Sequence, residues 1–168
     1  MQPNKVNLRA LEPSDLDILY RWENDDRIWF SSINTRPLSR QTLQLYIDSV
    51  NDIYTDKQVR LIIELDDKPV GCVDLFDFDP MHQRAGVGIM VDQNFEGQGL
   101  ASLALAELKK YAFSQLGLHQ LYCSIAQNNN RSISLFTNAN FIHTGTKKSW
   151  LRIDKSWEDE LFFQCFND

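Results

Sequence analysis

The chain predicts one α/β (α+β) domain spanning residues 1–168, built on a mixed, mostly antiparallel sheet of about seven strands with helices on both faces. Three observations lead there. Strand-like runs at 58–65, 69–79 and 84–91 follow one another through short polar turns, which makes an antiparallel meander. From 100 onward, helix-like and strand-like runs alternate. A length of 168 residues suits one domain with a sizeable core, and no repeat, low-complexity segment or long linker divides it.

The elements follow in order. Residues 6–11 alternate apolar and polar and read as a strand. Pro13 suits a first helical position, Asp15 and Asp17 suit the first turn, and Leu16, Leu19 and Tyr20 carry a helix over about 14–24. Trp29 and Phe30 fall in the following loop, where they can line an acceptor site or plug the core. Ser39 reads as the N-cap of a second helix carrying Leu43, Tyr46, Ile47 and Val50, and 52–57 as a polar break. Asp66-Asp67-Lys68 has hairpin-turn character. Leu100, Leu103, Ala104, Leu108, Tyr111, Ala112 and Leu116 recur at helical spacing, and Gly117 stops that helix. A strand at 119–126, a short helix at 132–138 and strands at 141–146 and 160–166 complete the order, with Trp150 and Trp157 in the last connection.

The chemistry centres on Val91-Asp92-Gln93-Asn94-Phe95-Glu96-Gly97-Gln98-Gly99-Leu100-Ala101-Ser102, a strand-to-helix junction with two glycines. Glycine allows a tight turn and a close ligand approach, and the first helical turn leaves N–H groups without intrahelical partners. Together they form a cradle for a phosphate or pyrophosphate. A plain tight turn gives the same pattern. No third glycine follows as a dinucleotide fingerprint requires, and no Gly-Lys-Ser/Thr follows as a P-loop requires.

Composition narrows the class. The chain is 43% hydrophobic and 24% charged, ordinary for a soluble globular protein. A net charge of −6 argues against a nucleic-acid binder. Cys72, Cys123 and Cys165 lie in apolar runs without paired spacing and read as buried thiols. His82, His119 and His143 lack metal-ligand spacing, so no metal is expected. No run approaches the length of a membrane span or resembles a signal peptide, so neither a membrane nor export is expected, and the cytoplasm is the expected compartment.

A second block, Asn129-Asn130-Arg131-Ser132-Ile133-Ser134-Leu135-Phe136-Thr137-Asn138-Ala139-Asn140-Phe141, follows the next strand. The glycine block resembles Gln/Arg-x-x-Gly-x-Gly/Ala, and the second block resembles Asn-x-x-Ser/Ala-Ile-x-Leu-Tyr-x-x-x-Gly-Phe. In this order, behind the meander, they resemble the GNAT superfamily of acetyl-coenzyme A-dependent N-acetyltransferases. The resemblance covers about 6–166. Leu8-Arg9-Ala10-Leu11-Glu12-Pro13-Ser14-Asp15-Leu16, the Trp29-Phe30 loop and Met81-His82-Gln83-Arg84-Ala85 are most similar to the branch of spermidine/diamine and ribosomal-protein N-terminal acetyltransferases.

That resemblance implies roles. The amides of 97–102 would hold the coenzyme pyrophosphate, and Ile89, Met90 and Val91 would pair with the pantetheine arm. Asn129 would hold the arm from the other side, with Ser132 and Phe136 flanking the thiol. Three positions depart. Glu96 replaces the usual Gln or Arg, so its side chain is expected to face solvent. Asn140 replaces Gly, which a left-handed backbone tolerates. Phe136 replaces the usual general-acid Tyr, and Gly86 stands where polyamine enzymes tend to carry Glu. Among Asp74, Asp77, Glu64 and Glu23, Asp74 is the first candidate base, because it sits in an apolar strand.

The expected function is acetyl transfer from acetyl-coenzyme A to a primary amine, such as the polyamine spermidine. The alternatives are a protein N-terminal acetyltransferase, with a peptide amine as acceptor, and a non-catalytic acetyl-coenzyme A-binding module. A homodimer or higher homo-oligomer is the expected assembly.

Overall fold

A computed structural model describes residues 5–25, 37–49, 52–153 and 155–167. Strands β1 (Val6–Ala10), β2 (Val59–Leu65), β3 (Lys68–Asp79), β4 (Arg84–Val91), β5 (Gln120–Ala126), β6 (Ile142–Ile153) and β7 (Ser156–Phe166) form one sheet in the order β1-β2-β3-β4-β5-β7-β6. Every neighbouring pair is antiparallel except β4 with β5. The meander is β2-β3-β4. Its first turn places Asp66 and Asp67 at φ 50° and 58°, the two left-handed residues of a tight hairpin whose twist matches the strands.

The helices are α1 (Leu16–Glu23), α2 (Arg40–Asp48), α3 (Ile53–Asp56), α4 (Leu100–Lys110) and α5 (Asn130–Asn138). The Ser39 hydroxyl caps α2 by accepting from the Thr42 amide at 3.0 Å. The expected polar break at 52–57 instead holds α3. Asp52 accepts from the Tyr54 and Thr55 amides, and Ile53 is buried. Val50 of the expected second helix lies outside the described residues. The helix expected over 100–116 is present, but its last turn, Tyr111–Gln115, widens to a π-helix before Gly117 turns away at φ 64°. Asn140 takes the left-handed conformation, φ 66°, expected of it.

One sheet face packs on α4. Leu100, Ala104, Leu105 and Leu108 lie at 0–1% exposure against Val73, Leu75, Val87 and Leu121. At about 1.5–3 kcal/mol per fully buried leucine, this hydrocarbon layer is the main source of stability. The other face carries α1 and α2, with Trp22, Ile62 and Cys72 in one cluster and Leu19, Leu43 and Ile47 in another. All three cysteines are buried free thiols. The last two strands are longer than expected. Trp150 lies in β6 and Trp157 in β7 rather than in a connection, both exposed.

Candidate active site

The parallel pairing between β4 and β5 is short. Arg84 meets Gln120, Ala85 meets Leu121 and Gly86 meets Tyr122; from there the strands part. The remaining length of β4 has lost its β5 neighbour, so the 89–91 segment presents an open backbone edge. Across the gap stands the first turn of α5. An open cavity of about 540 Å³ fills the fork. Ile89, Met90 and Val91 line one wall; Asn129, Arg131, Ser132 and Leu135 line the other. Glu96 and Ala101 of the glycine junction, together with Arg21, Trp22 and Asp25 of the α1 region, complete the lining.

The glycine junction fits its expected chemistry. Gly97 and Gly99 both sit at φ 75°, which a side chain rarely tolerates, and a Cβ at either would meet nothing within 4 Å. The turn is therefore open on its outer side. Gly99 is the N-cap of α4 and offers no side-chain cap, so first-turn N–H groups and the positive dipole end are available to an anion. The start of α5 differs. There the Asn129 Oδ1 accepts from the Ser132 amide at 3.1 Å, so that N-terminus is already capped. Leu100 itself is 1% exposed and contributes its backbone, while its side chain joins the core.

Glu96 is exposed, as expected, and is also ion-paired. Its Oε2 accepts from Arg131 Nη1 at 2.7 Å, and both residues line the cavity. The physical reason for the pairing is neutralisation: a guanidinium lies within reach from the opposite lip. Phe136 is 4% exposed and packs edge-on against Phe141, with ring centroids 5.0 Å apart. Its ring belongs to the core and is not among the cavity-lining residues.

Gly86 has a local explanation. A Cβ there would lie 2.3 Å from the Phe76 ring, which leans over the strand toward Tyr122 at a centroid distance of 6.1 Å. Phe76 thus fills the room that an acidic side chain would need.

Asp74 lies on the α1 face of β3, in register with Gly88 of β4, outside the lining of the cavity. Both its oxygens accept from Arg60, Oδ1 from Nε at 2.7 Å and Oδ2 from Nη2 at 3.0 Å. Arg60 Nη1 donates in turn to Glu23 at the end of α1. The adjoining residue, Trp22, donates from Nε1 to Asp92 Oδ2 at 2.8 Å. Burial alone would raise the Asp92 carboxyl, but the Trp22 and Asn94 donors hold it below its ordinary 3.8. The end of α1 is thereby tied to β3 and to the mouth of the cradle. Burial pushes the Cys72 and Cys123 thiols up to about 12, so neither is a nucleophile at neutral pH.

Trp29 and Phe30 lie outside the described residues. The sequence reading missed Arg21, Trp22, Asp92, Arg131 and Leu135. Arg131 stood inside the quoted second block, and its place one residue before Ser132 was the signal available. Among the described residues no group of three or more His, Cys, Asp or Glu could hold a metal ion, and no helix is long and apolar enough to cross a membrane.

A family model described as the acetyltransferase (GNAT) domain matches residues 5–142. The spermidine N(1)-acetyltransferase of Escherichia coli (strain K12) is 26% identical over 147 residues, covering 82% of this chain and 73% of the relative. The Vibrio cholerae spermidine N(1)-acetyltransferase is 26% identical over 148 residues, covering 84% and 82%. The fold is similar to the crystal structure of the Vibrio cholerae enzyme in complex with CoA and spermine, with a TM-score of 0.86 at 23% identity over 96% of this chain and 95% of that one. It is also similar to a dodecameric structure of that enzyme, with a TM-score of 0.81 at 24% identity over 96% and 94%. A forked parallel strand pair, an uncapped glycine-led helix at the fork and a family match that spans both place the chain in the GNAT family, as an acetyl-coenzyme A-dependent N-acetyltransferase.

Proposed function

We propose that this enzyme acetylates a primary amine of a polyamine, with spermidine and spermine as the leading acceptors. The observation that carries the reading is the cavity itself. It brings the glycine cradle, the open edge of β4 and the end of α1 into one open space, so a coenzyme and an amine can meet there. Among the α1-side residues Asp25 and Asp92 stand with Arg21, and the linked Glu23–Arg60–Asp74 group nearby carries two carboxylates to one guanidinium, an excess of negative charge suited to a polycation. The similarity to spermidine acetyltransferases supports the same acceptor.

The roles follow from position. Backbone N–H groups of 97–102 hold the pyrophosphate, and the 89–91 edge pairs with the pantetheine arm. Asn129 and Ser132 on the α5 side support the arm, with Phe136 packed in the core behind them, and Trp29 and Phe30 contact the acceptor. The coenzyme supplies the acetyl thioester. A neutral amine nitrogen attacks the carbonyl carbon; the C–N bond forms, the C–S bond breaks, and the thiolate takes a proton from solvent. A β4 amide polarises the carbonyl as charge develops on its oxygen. The proton lost by the amine passes through water to Asp74, whose oxygens each retain a lone pair beyond the Arg60 bonds. Gly88, opposite Asp74, leaves that approach free of a side chain. The protein acts as a single 1–168 domain in a homodimer or higher homo-oligomer, within the cytoplasm, where its three thiols stay reduced.

The test is thiol release from acetyl-coenzyme A with spermidine, spermine, putrescine, aminoglycosides, free amino acids and peptides bearing free α-amino ends. Saturable release with spermidine or spermine is expected. Release confined to peptides would replace this reading with N-terminal acetylation. No release from protein that binds coenzyme A would favour a sensing module.

A further inference from the structure

The cradle carries charges that its backbone geometry does not require. Glu96 immediately precedes Gly97, so a carboxylate stands beside the N–H groups that receive a diphosphate. Two negative groups so close repel each other. Arg131 reaches Glu96 from the first turn of α5, across the fork. Theirs is the one side-chain hydrogen bond between that loop and α5 among the described residues. Arg131 is 65% exposed and Glu96 36%. An exposed ion pair of this kind adds little to stability, so stability does not account for its place.

We infer that Arg131 is a direct ligand of the coenzyme's phosphate groups, and that Glu96 is the positioning residue holding its guanidinium over the cradle. This rests on acetyl-coenzyme A as cosubstrate and not on the identity of the amine. Glu96 engages Nη1 alone, which leaves donors of the planar fork for phosphate oxygens. The anion then lies between two positive partners, the uncapped start of α4 on one lip and Arg131 on the other. At the start of α5 the Ser132 amide is already taken by Asn129, so on that lip the Arg131 side chain supplies the positive partner. Arg131 also cancels the charge of Glu96. Without it, the bound phosphates face an unpaired carboxylate.

That last point gives a signed test. Coenzyme A affinity is measured by calorimetry for the wild type, Arg131→Ala, Arg131→Lys, Glu96→Gln and the double variant Glu96→Gln/Arg131→Ala. The set is repeated with dephospho-coenzyme A and at raised salt. Arg131→Ala is expected to weaken binding at least about fivefold, with the kinetic loss in KM for acetyl-coenzyme A rather than in kcat. Arg131→Lys keeps part of the affinity. The double variant binds more tightly than Arg131→Ala, because the repelling carboxylate has gone. A loss that persists with dephospho-coenzyme A assigns Arg131 to the pyrophosphate; one that disappears assigns it to the 3′-phosphate, and either supports the inference. A smaller loss in Arg131→Ala, or a double variant no tighter than it, overturns the inference. Coenzyme binding without polyamine turnover would defeat the acceptor reading and leave this one standing. An unchanged Arg131→Ala in an enzyme that acetylates spermidine would do the reverse.

Discussion

Both faces of the β2-β3-β4 meander pack hydrocarbon, but the α1 face adds a layer of ion pairs that the α4 contact lacks among the described residues. Toward α4, Val73, Leu75 and Val87 meet Leu105 and Leu108 with at most 4% exposure. Toward α1, the same strands also present Arg60 and Asp74, with Arg9 and Glu64 beyond them at the β1–β2 pair. Hydrocarbon packing is non-directional and tolerates small shifts. Bidentate ion pairs fix one geometry. The difference assigns tasks: the α4 face supplies most of the stability, and the ion pairs of the α1 face fix where the helix end stands beside the cavity.

The largest way to break this contrast is Leu108→Ala. It should cost about 3–4 kcal/mol in denaturant unfolding, because a fully buried leucine leaves a cavity in rigid surroundings. Asp74→Ala should cost less, about 1–2 kcal/mol, since its side chain is 27% exposed and Arg60 keeps Glu23. The same variant should lower kcat with spermidine by about 100-fold if Asp74 is the proton acceptor. A loss in the α1-face variant as large as that in Leu108→Ala would erase the distinction between the faces.

A pH titration sharpens it at the smallest scale. Burial would raise the Asp15 carboxyl, but the Arg9 and Glu12 hydrogen bonds and the Arg9 charge hold it below 3.8. A carboxyl depressed in the folded state adds stability above its unfolded value and loses it as pH falls through the folded value. Asp92 behaves alike. Unfolding free energy should therefore be flat from neutral pH to about 5 and decline below about 4. Asp15→Asn should flatten part of that decline, whereas Leu108→Ala should leave its shape unchanged.

The sequence made the α4 face legible and the α1 face largely not. Helical spacing at Leu100, Ala104 and Leu108 reports burial directly, and two glycines with one residue between them marked the cradle. The Arg60–Asp74 bond needs the β2–β3 register, which no local pattern encodes. A single turn such as α3 is too short to show a period. The long ends of β6 and β7 form a ribbon outside the buried core, with charged residues and exposed tryptophans in it, so the apolar alternation of a core strand was absent where the strands were missed. The Glu96–Arg131 bond joins residues 35 positions apart, through a fork that only the fold creates.

The central claim is that coenzyme A enters the fork and pairs with the open edge of β4. Amide hydrogen exchange with and without coenzyme A tests it within one strand. New protection should appear at 89–91 and 97–102, while 84–86, already paired with β5, stays as it was. Protection spread evenly along β4, or absent from 89–91 at saturating coenzyme A, would contradict the account.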